Sequence, residues 1–418
     1  DGYAVKIDGV ITDNTTTSLD LDMRTPATTL IDIVPTSGSL RNLVINHASF
    51  IGTFLGNTSI SGNLTINSGE LKSAGSNSLT VTGYCDVTGT LTLNNSAVSV
   101  AALRCNSGAA VTQGSSGTLE LATGSNFGGA EDSTYSLRNK DGTSDINLGG
   151  TTTVTGGSYF EPRTATVYAS VLNNIIWNSN QYWVGEILIG GTLVVNAAKH
   201  MQPYGGSKNV TVTGNVTLNG QLTAYPNGHT DLDTMTFGGL EIASGGTYNA
   251  TSGTTTITDK ISSGSYTNYM FQNAGTFTHN KGTVHWKADT SSGTWYAMNG
   301  SSSATETEFY NISTERVRAS GTEQYRFWVG GSGRHLTVLN NIDIGANTRI
   351  FSSNGSGNFK HLGNCHLKGT SGGLNLDNVT TVNMGTIKIE SGATLEFADG
   401  NSINVEGIRN IGGTVTAT

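Results

Sequence analysis

The chain has 418 residues, 56 of them glycine, and only 12% are charged, with a net charge of −8. That glycine share is roughly twice the usual one and the charged share about half. Without clustered Lys or Arg to neutralise phosphates, nucleic-acid binding is excluded as a primary role, and the wealth of Val, Ile, Thr and Leu sets the sequence apart from disordered, highly charged chains.

From the start of the chain, residues 1–60 are the least regular. They hold Pro26 and Pro35 and the larger apolar stretches Thr29 to Val34 and Leu43 to Asn46. This zone is expected to be a cap or junction covering the end of a stack. Residues 61–155 are the most repetitive. Here short triplets alternate apolar and polar residues, as in Leu64-Thr65-Ile66, Leu79-Thr80-Val81 and Leu91-Thr92-Leu93. Residues 156–418 continue the pattern with Val210-Thr211-Val212, Leu240-Glu241-Ile242, Ile342-Asp343-Ile344 and Leu395-Glu396-Phe397, interleaved with aromatic-rich excursions. Alternation puts both apolar members of a triplet on one face of a strand. Between triplets lie connectors such as Asn67-Ser68-Gly69, Gly214-Asn215 and Ser244-Gly245-Gly246, residue types that turn a chain. No stretch sustains the 3.6-residue period of a helix, and the longest apolar run, Ile187 to Ala198, is too short and too broken by glycine to span a membrane.

Strands this short and connectors this frequent fit a β-sandwich poorly, because its hairpins join strands of about 5–6 residues. They fit an all-β solenoid, in which a coil of two or three strands buries its apolar face only when the next coil stacks on it. At roughly 25 residues per coil, some 16 coils at about 4.8 Å each would make a rod near 75–80 Å long. Ladders of Thr and Asn tolerate such stacking, whereas ladders of Lys or Glu would repel, which accounts for the low charge. A longer echo pairs Gln181-Tyr182-Trp183-Val184-Gly185 with Gln324-Tyr325-Arg326-Phe327-Trp328-Val329-Gly330, as if two related modules lay in tandem.

The phrases Gly62-Asn63-Leu64-Thr65-Ile66, Gly239 to Tyr248, Gly275 to Val284 and Phe309-Tyr310-Asn311-Ile312-Ser313 resemble right-handed parallel β-helix proteins. Such phrasing is common in tail-fibre and tailspike-like proteins of bacteriophages and in bacterial surface adhesins. The resemblance covers most of residues 60–418. It implies a rigid, protease-resistant projection, often trimeric in phages, that contacts cell-surface glycans. It carries no catalytic signature onto named positions.

Aromatic clusters are the best binding candidates: Trp177, Tyr182 and Trp183; Trp286, Trp295 and Tyr296 beside His285; and Tyr325 and Trp328 with Phe327. Exposed rings stack on sugars or anchor subunit interfaces, and the same rings packed inside would be core. Glycan hydrolysis would need two carboxylates about 5–10 Å apart; the close pairs are Glu131 with Asp132, Asp231 with Asp233 near His229, and Glu306 with Glu308, all equally readable as solvated loop acids. His361, Cys365 and His366 have zinc-binding side chains but no second pair at finger-like spacing. Cys85, Cys105 and Cys365 are too few for a disulfide framework; the first two read as buried thiols, with a bridge between neighbouring coils left sterically open. Sequons at Asn63, Asn209, Asn215, Asn311 and Asn378 arise readily in so Asn- and Thr-rich a chain.

These features predict an extracellular or virion-surface structural protein. The first expectation is a homotrimeric fibre or spike component that meets other virion proteins and a host surface glycan, with no cofactor, catalytic residue, nucleic acid or membrane insertion. A cell-surface adhesin or filament subunit is the alternative, and a glycan-degrading tailspike the third reading. The chain opens on Asp1 and is expected to be a trimmed piece of a longer product.

Overall fold

The architecture follows from the short amphipathic strands: an apolar triplet shields itself only against equivalent triplets above and below. In a computed structural model, described for residues 5–7, 20–23, 28–33, 40–54, 56–127, 134–140, 144–162, 171–205, 209–224, 233–262, 268–289, 296–300, 307–328, 335–353, 358–398 and 402–417, the chain is all-β. Parallel strands stack as a β-solenoid of about 14 turns, without helix among the described residues. Coil length varies along the chain: corner residues on adjacent coils lie 21 positions apart at Asn42 and Asn63, 18 apart at Asn174 and Thr192, and 30 apart at Asn311 and Asn341. Segments inserted between strands lengthen individual coils, as between Ala110 and its partner Asp145, so there are fewer turns than a uniform 25-residue coil predicts.

Two compact units divide the chain, residues 1–193 with 199–208, and residues 194–198 with 209–418. In the first unit one interior column runs in register through Leu64, Cys85, Leu103, Leu137, Phe160 and Trp183. Each is at most 1% exposed, and the two bulkiest members, Phe160 and Trp183, lie on adjacent coils. In the second unit a column passes through Phe237, Ile257, Trp286, Thr314, Ile344 and Leu367. The apolar members are fully buried, and the hydroxyl of Thr314 is satisfied by Thr348 Oγ1 at 2.6 Å.

Corners are built by asparagine. Asn42 Oδ1 accepts the Asn63 backbone N–H at 2.8 Å, and Asn63 Oδ1 accepts that of Tyr84 at 3.1 Å. Asn174 toward Thr192, Asn209 toward Thr234 and Asn311 toward Asn341 repeat the device. A backbone donor that leaves the ladder where the chain bends thus finds a partner on the adjoining coil. Glycine accompanies asparagine for a steric reason: a Cβ at Gly83 would sit 2.5 Å from the Gly62 carbonyl oxygen, inside van der Waals contact.

Phe160 sits mid-column, edge-to-face against Trp177 with centroids 5.5 Å apart. Phe160→Ala should therefore cost about 3–5 kcal/mol, seen as a lower urea midpoint. Tyr182→Phe, on the outward face of the next coil, should stay within about 0.5 kcal/mol. Equal effects would contradict the interior register.

Candidate functional site

Strand parity decides which aromatic side chains reach solvent. In the strand Asn180–Trp183, Gln181 and Trp183 point inward and Tyr182 outward. Trp177, Trp183, Trp286 and Tyr325 are all fully buried, so their expected role as exposed ring platforms is corrected to interior packing. The Trp177 Nε1–H donates to the His200 carbonyl at 3.3 Å, and that of Trp286 to Ala297 at 3.1 Å. The Tyr325 hydroxyl donates to the Glu315 carbonyl at 2.9 Å. Trp295 and the side chain of Trp328 lie outside the described residues. Tyr182, 37% exposed, and the half-buried Tyr296 remain on the surface.

Tyr182 has company that the sequence reading did not find. Tyr135, Tyr159 and Tyr182 stand opposite one another on three successive coils of the first unit. Ring centroids are 5.5 Å apart for the first pair and 5.9 Å for the second, with planes tilted by 38° and 28°. Tyr204, 52% exposed, stands across the end of this ladder. Its ring meets Tyr159 at 4.8 Å and 81°, and Tyr182 at 5.7 Å and 72°. Two phenol rings nearly at right angles thus form a corner open to solvent. The Arg138 guanidinium lies 4.5 Å from the Tyr135 ring centroid, a cation–π contact, and pairs with Glu161 at 3.4 Å. The one visible signal is four tyrosines spaced by about one coil each; variable coil lengths hide it from motif comparison.

A buried polar network fixes this ladder from beneath. A register shift at Ser136 lets Tyr135 face out and Leu137 face in. The Ser136 hydroxyl turns inward and donates to Gln181 Oε1 at 3.0 Å. Gln181 Nε2 in turn donates to the Gly156 carbonyl at 3.2 Å and to Ser179 Oγ at 2.5 Å. Ser136 and Gln181 are at most 1% exposed, and such satisfied networks hold one geometry. A smaller pair in the second unit, Tyr269 and Tyr296 at 5.1 Å, continues in register to Arg326.

The other candidates separate. Glu131, Asp132, Asp231, His229 and Glu306 lie outside the described residues; Asp233 is buried, and Glu308 meets His279 at 3.3 Å. His361 is buried with its Nε2 2.8 Å from the Asn340 carbonyl, while His366 faces out toward Glu390 at 2.7 Å. Cys365 points inward between them, its thiol pushed up by burial. No three His, Cys, Asp or Glu residues gather to hold a metal among the described residues. Cys85 and Cys105 are buried free thiols, and the register sets Cys85 opposite Leu103 and Cys105 opposite Val87.

One unforeseen constellation has the residue types of a nucleophilic triad. In the second unit, His285 Nδ1 is 2.8 Å from Ser313 Oγ, and its Nε2 is 3.3 Å from Glu315 Oε2. The strand Asn311–Thr314 is paired on both sides, Ser313 lying between His285 and Asp343, so its backbone N–H groups serve the ladders. An oxyanion hole needs donors aimed at the reacting oxygen, and Glu315 is itself engaged by Lys287 at 2.8 Å. The arrangement is the start of an outward ionisable ladder that continues through Asp343, His366 and Lys388. Lys368 bonds Asp343 at 2.6 Å, and Lys388 bonds Glu390 at 2.9 Å. Lys388 is followed in register by Arg409, so the column itself does not alternate in sign; Lys368 beside Asp343 and Glu390 beside His366 and Lys388 supply the opposite charges.

No family model matches the chain, and no curated protein or solved structure does.

The ladder makes stability depend on pH in a definite direction. Hydrogen bonds from Lys388 and His366 hold Glu390 down to about 2, so its contribution is present above the ordinary value of 4.5 and lost as pH falls toward 2. Burial lowers His285, His361 and His200 below 6.5. The folded chain favours their neutral rings, and that contribution is complete above 6.5 and lost as pH drops below it. The urea midpoint should therefore fall in two stages on acidification. His285→Gln should flatten the upper stage and Lys388→Ala the lower; a midpoint constant from about pH 7 to pH 5 would contradict the histidine assignment.

Proposed function

We propose that this chain is a structural surface protein, a component of a virion fibre or spike that assembles as a homotrimer, extends from its particle and presents side chains to a host surface. The observation that carries this reading is the architecture itself. Within each unit, coils repeat one parallel rung, and every added rung enlarges both the interior columns and the outward ladders. Such a fold supplies length, stiffness and a repeating outer face. The outward residues suit display: hydroxyls and amides with few charges, several of them in ion pairs, and tyrosines in line. A surface glycan is the kind of partner such a face meets.

Negative-stain electron microscopy combined with sedimentation velocity tests the proposal. The expected result is a discrete particle of three chains around a threefold axis. Open head-to-tail filaments would replace the fibre reading by that of a filament subunit, and a monomer at micromolar concentration would overturn the trimer. Incubation with host-type polysaccharide should leave polymer length unchanged; shortening would turn the reading toward a glycan-degrading spike.

A further inference from the structure

We infer that the corner formed by Tyr182 and Tyr204 at the end of the Tyr135–Tyr159 ladder is a binding site for a neutral polysaccharide of hexopyranose residues. The inference rests on the proposed role as a surface module and names the site and the ligand class.

Shape, flanking chemistry and charge point the same way. Tyr182 and Tyr204 are 37% and 52% exposed, large values for rings already in contact with other rings. Their planes cross at 72°, so a sugar ring lying against one phenol has its edge against the other. A hexopyranose has apolar C–H faces and a hydroxyl rim, and aromatic rings with a polar tip match both features. Hydrogen-bonding groups surround the corner. Gln202 stands opposite Tyr182 on the adjoining coil and is partly exposed, and Asn180 is exposed two residues before Tyr182. The hydroxyls of Thr134 and Ser158, 2.8 Å apart, lie on the surface beside Tyr135 and Tyr159.

Charge selects the ligand class. Among the described residues, the ion pair at the ladder is Arg138 with Glu161, at 3.4 Å. Burial keeps His200, opposite Asn180, toward its neutral form. Among the described residues of this corner an acidic polymer would meet a cation already paired with a carboxylate, and a neutral one has no need of it. The ligand extends over more than one sugar because the ladder spans successive coils about 4.8 Å apart. The buried network of Ser136, Gln181 and Ser179 holds the rings before any ligand arrives, which lowers the ordering cost of binding.

Native electrophoresis of the full chain through gels cast with dextran, laminarin, mannan or galactan tests the site. Retardation is expected in at least one of these neutral polymers. Tyr182→Ala and Tyr204→Ala should each weaken it about tenfold, the loss of one stacked ring, whereas Tyr182→Phe should keep it. Circular dichroism should match the parent for all three, since neither ring belongs to an interior column, and the urea midpoint should fall only slightly for the two alanine variants, which lose ring contacts. Free migration of the parent chain in all four gels, or equal retardation of parent and alanine variants, would overturn the inference. A sedimentation coefficient that falls with Tyr204→Ala while gel mobility is unchanged would assign the corner to contacts between copies and also overturn it. None of these outcomes depends on the threefold particle, so the site and the fibre reading can fail separately.

Discussion

In-register parallel stacking is the constraint on which the other features depend. A strand of three or four residues buries too little to hold its own place; it is stable because an equivalent strand lies about 4.8 Å above and below it. Each side chain is therefore chosen by its column as much as by its neighbours in sequence. The interior column from Leu64 to Trp183 shows it in apolar form, and the asparagine corners show it in polar form. Charges obey the same rule. Where the second unit places ionisable groups outward on successive coils, Asp343 is followed by His366 and Lys388, with Lys368 and Glu390 reaching across. The column runs on from Lys388 to Arg409, and the repulsion that neighbouring like charges would bring is offset from the side, where Glu390 meets both His366 and Lys388.

The same constraint explains what was legible in the sequence. Alternation within Leu64-Thr65-Ile66 or Ile342-Asp343-Ile344 assigns the inward face without further information, and the structure buries Leu64, Ile66, Ile342 and Ile344. Coil stacking followed from strand shortness. What alternation does not give is the phase of a strand whose residues are all bulky. The echo between Gln181–Gly185 and Gln324–Gly330 aligns Tyr182 with Phe327, yet Tyr182 faces solvent and Phe327 is fully buried. Similar wording in sequence carried opposite orientation in space. For Gln181 the inward position was the less obvious reading, because an amide is inward-facing only when Ser136, Ser179 and Gly156 satisfy it, and those partners come from three different places in the chain.

The tyrosine ladder was illegible for a related reason. Its members belong to different coils, and their adjacency depends on register shifts such as that at Ser136. A search for clustered aromatics along the sequence favours Tyr182 with Trp183 and Trp177, two of which are interior. The outward cluster instead gathers single tyrosines from four strands or strand ends. In a solenoid, proximity in sequence marks the two faces of one rung, while proximity across coils marks one face of many.

These two kinds of proximity meet at the candidate site. The coils that carry Tyr135, Tyr159 and Tyr182 outward carry Leu137, Phe160 and Trp183 inward, the bulkiest stretch of that interior column. A large inner side chain packed edge-to-face, as Phe160 is on Trp177, restricts the backbone of its rung. The outward tyrosine one or two residues away inherits that restriction. Rings held at 4.8 to 5.9 Å from one another lose little further freedom when a ligand settles on them, whereas the same tyrosines on a free loop would have to be ordered at the moment of binding. The interior column and the outer ladder are thus two sides of one device: the side chains that stabilise the stack also set the geometry of the surface that it displays.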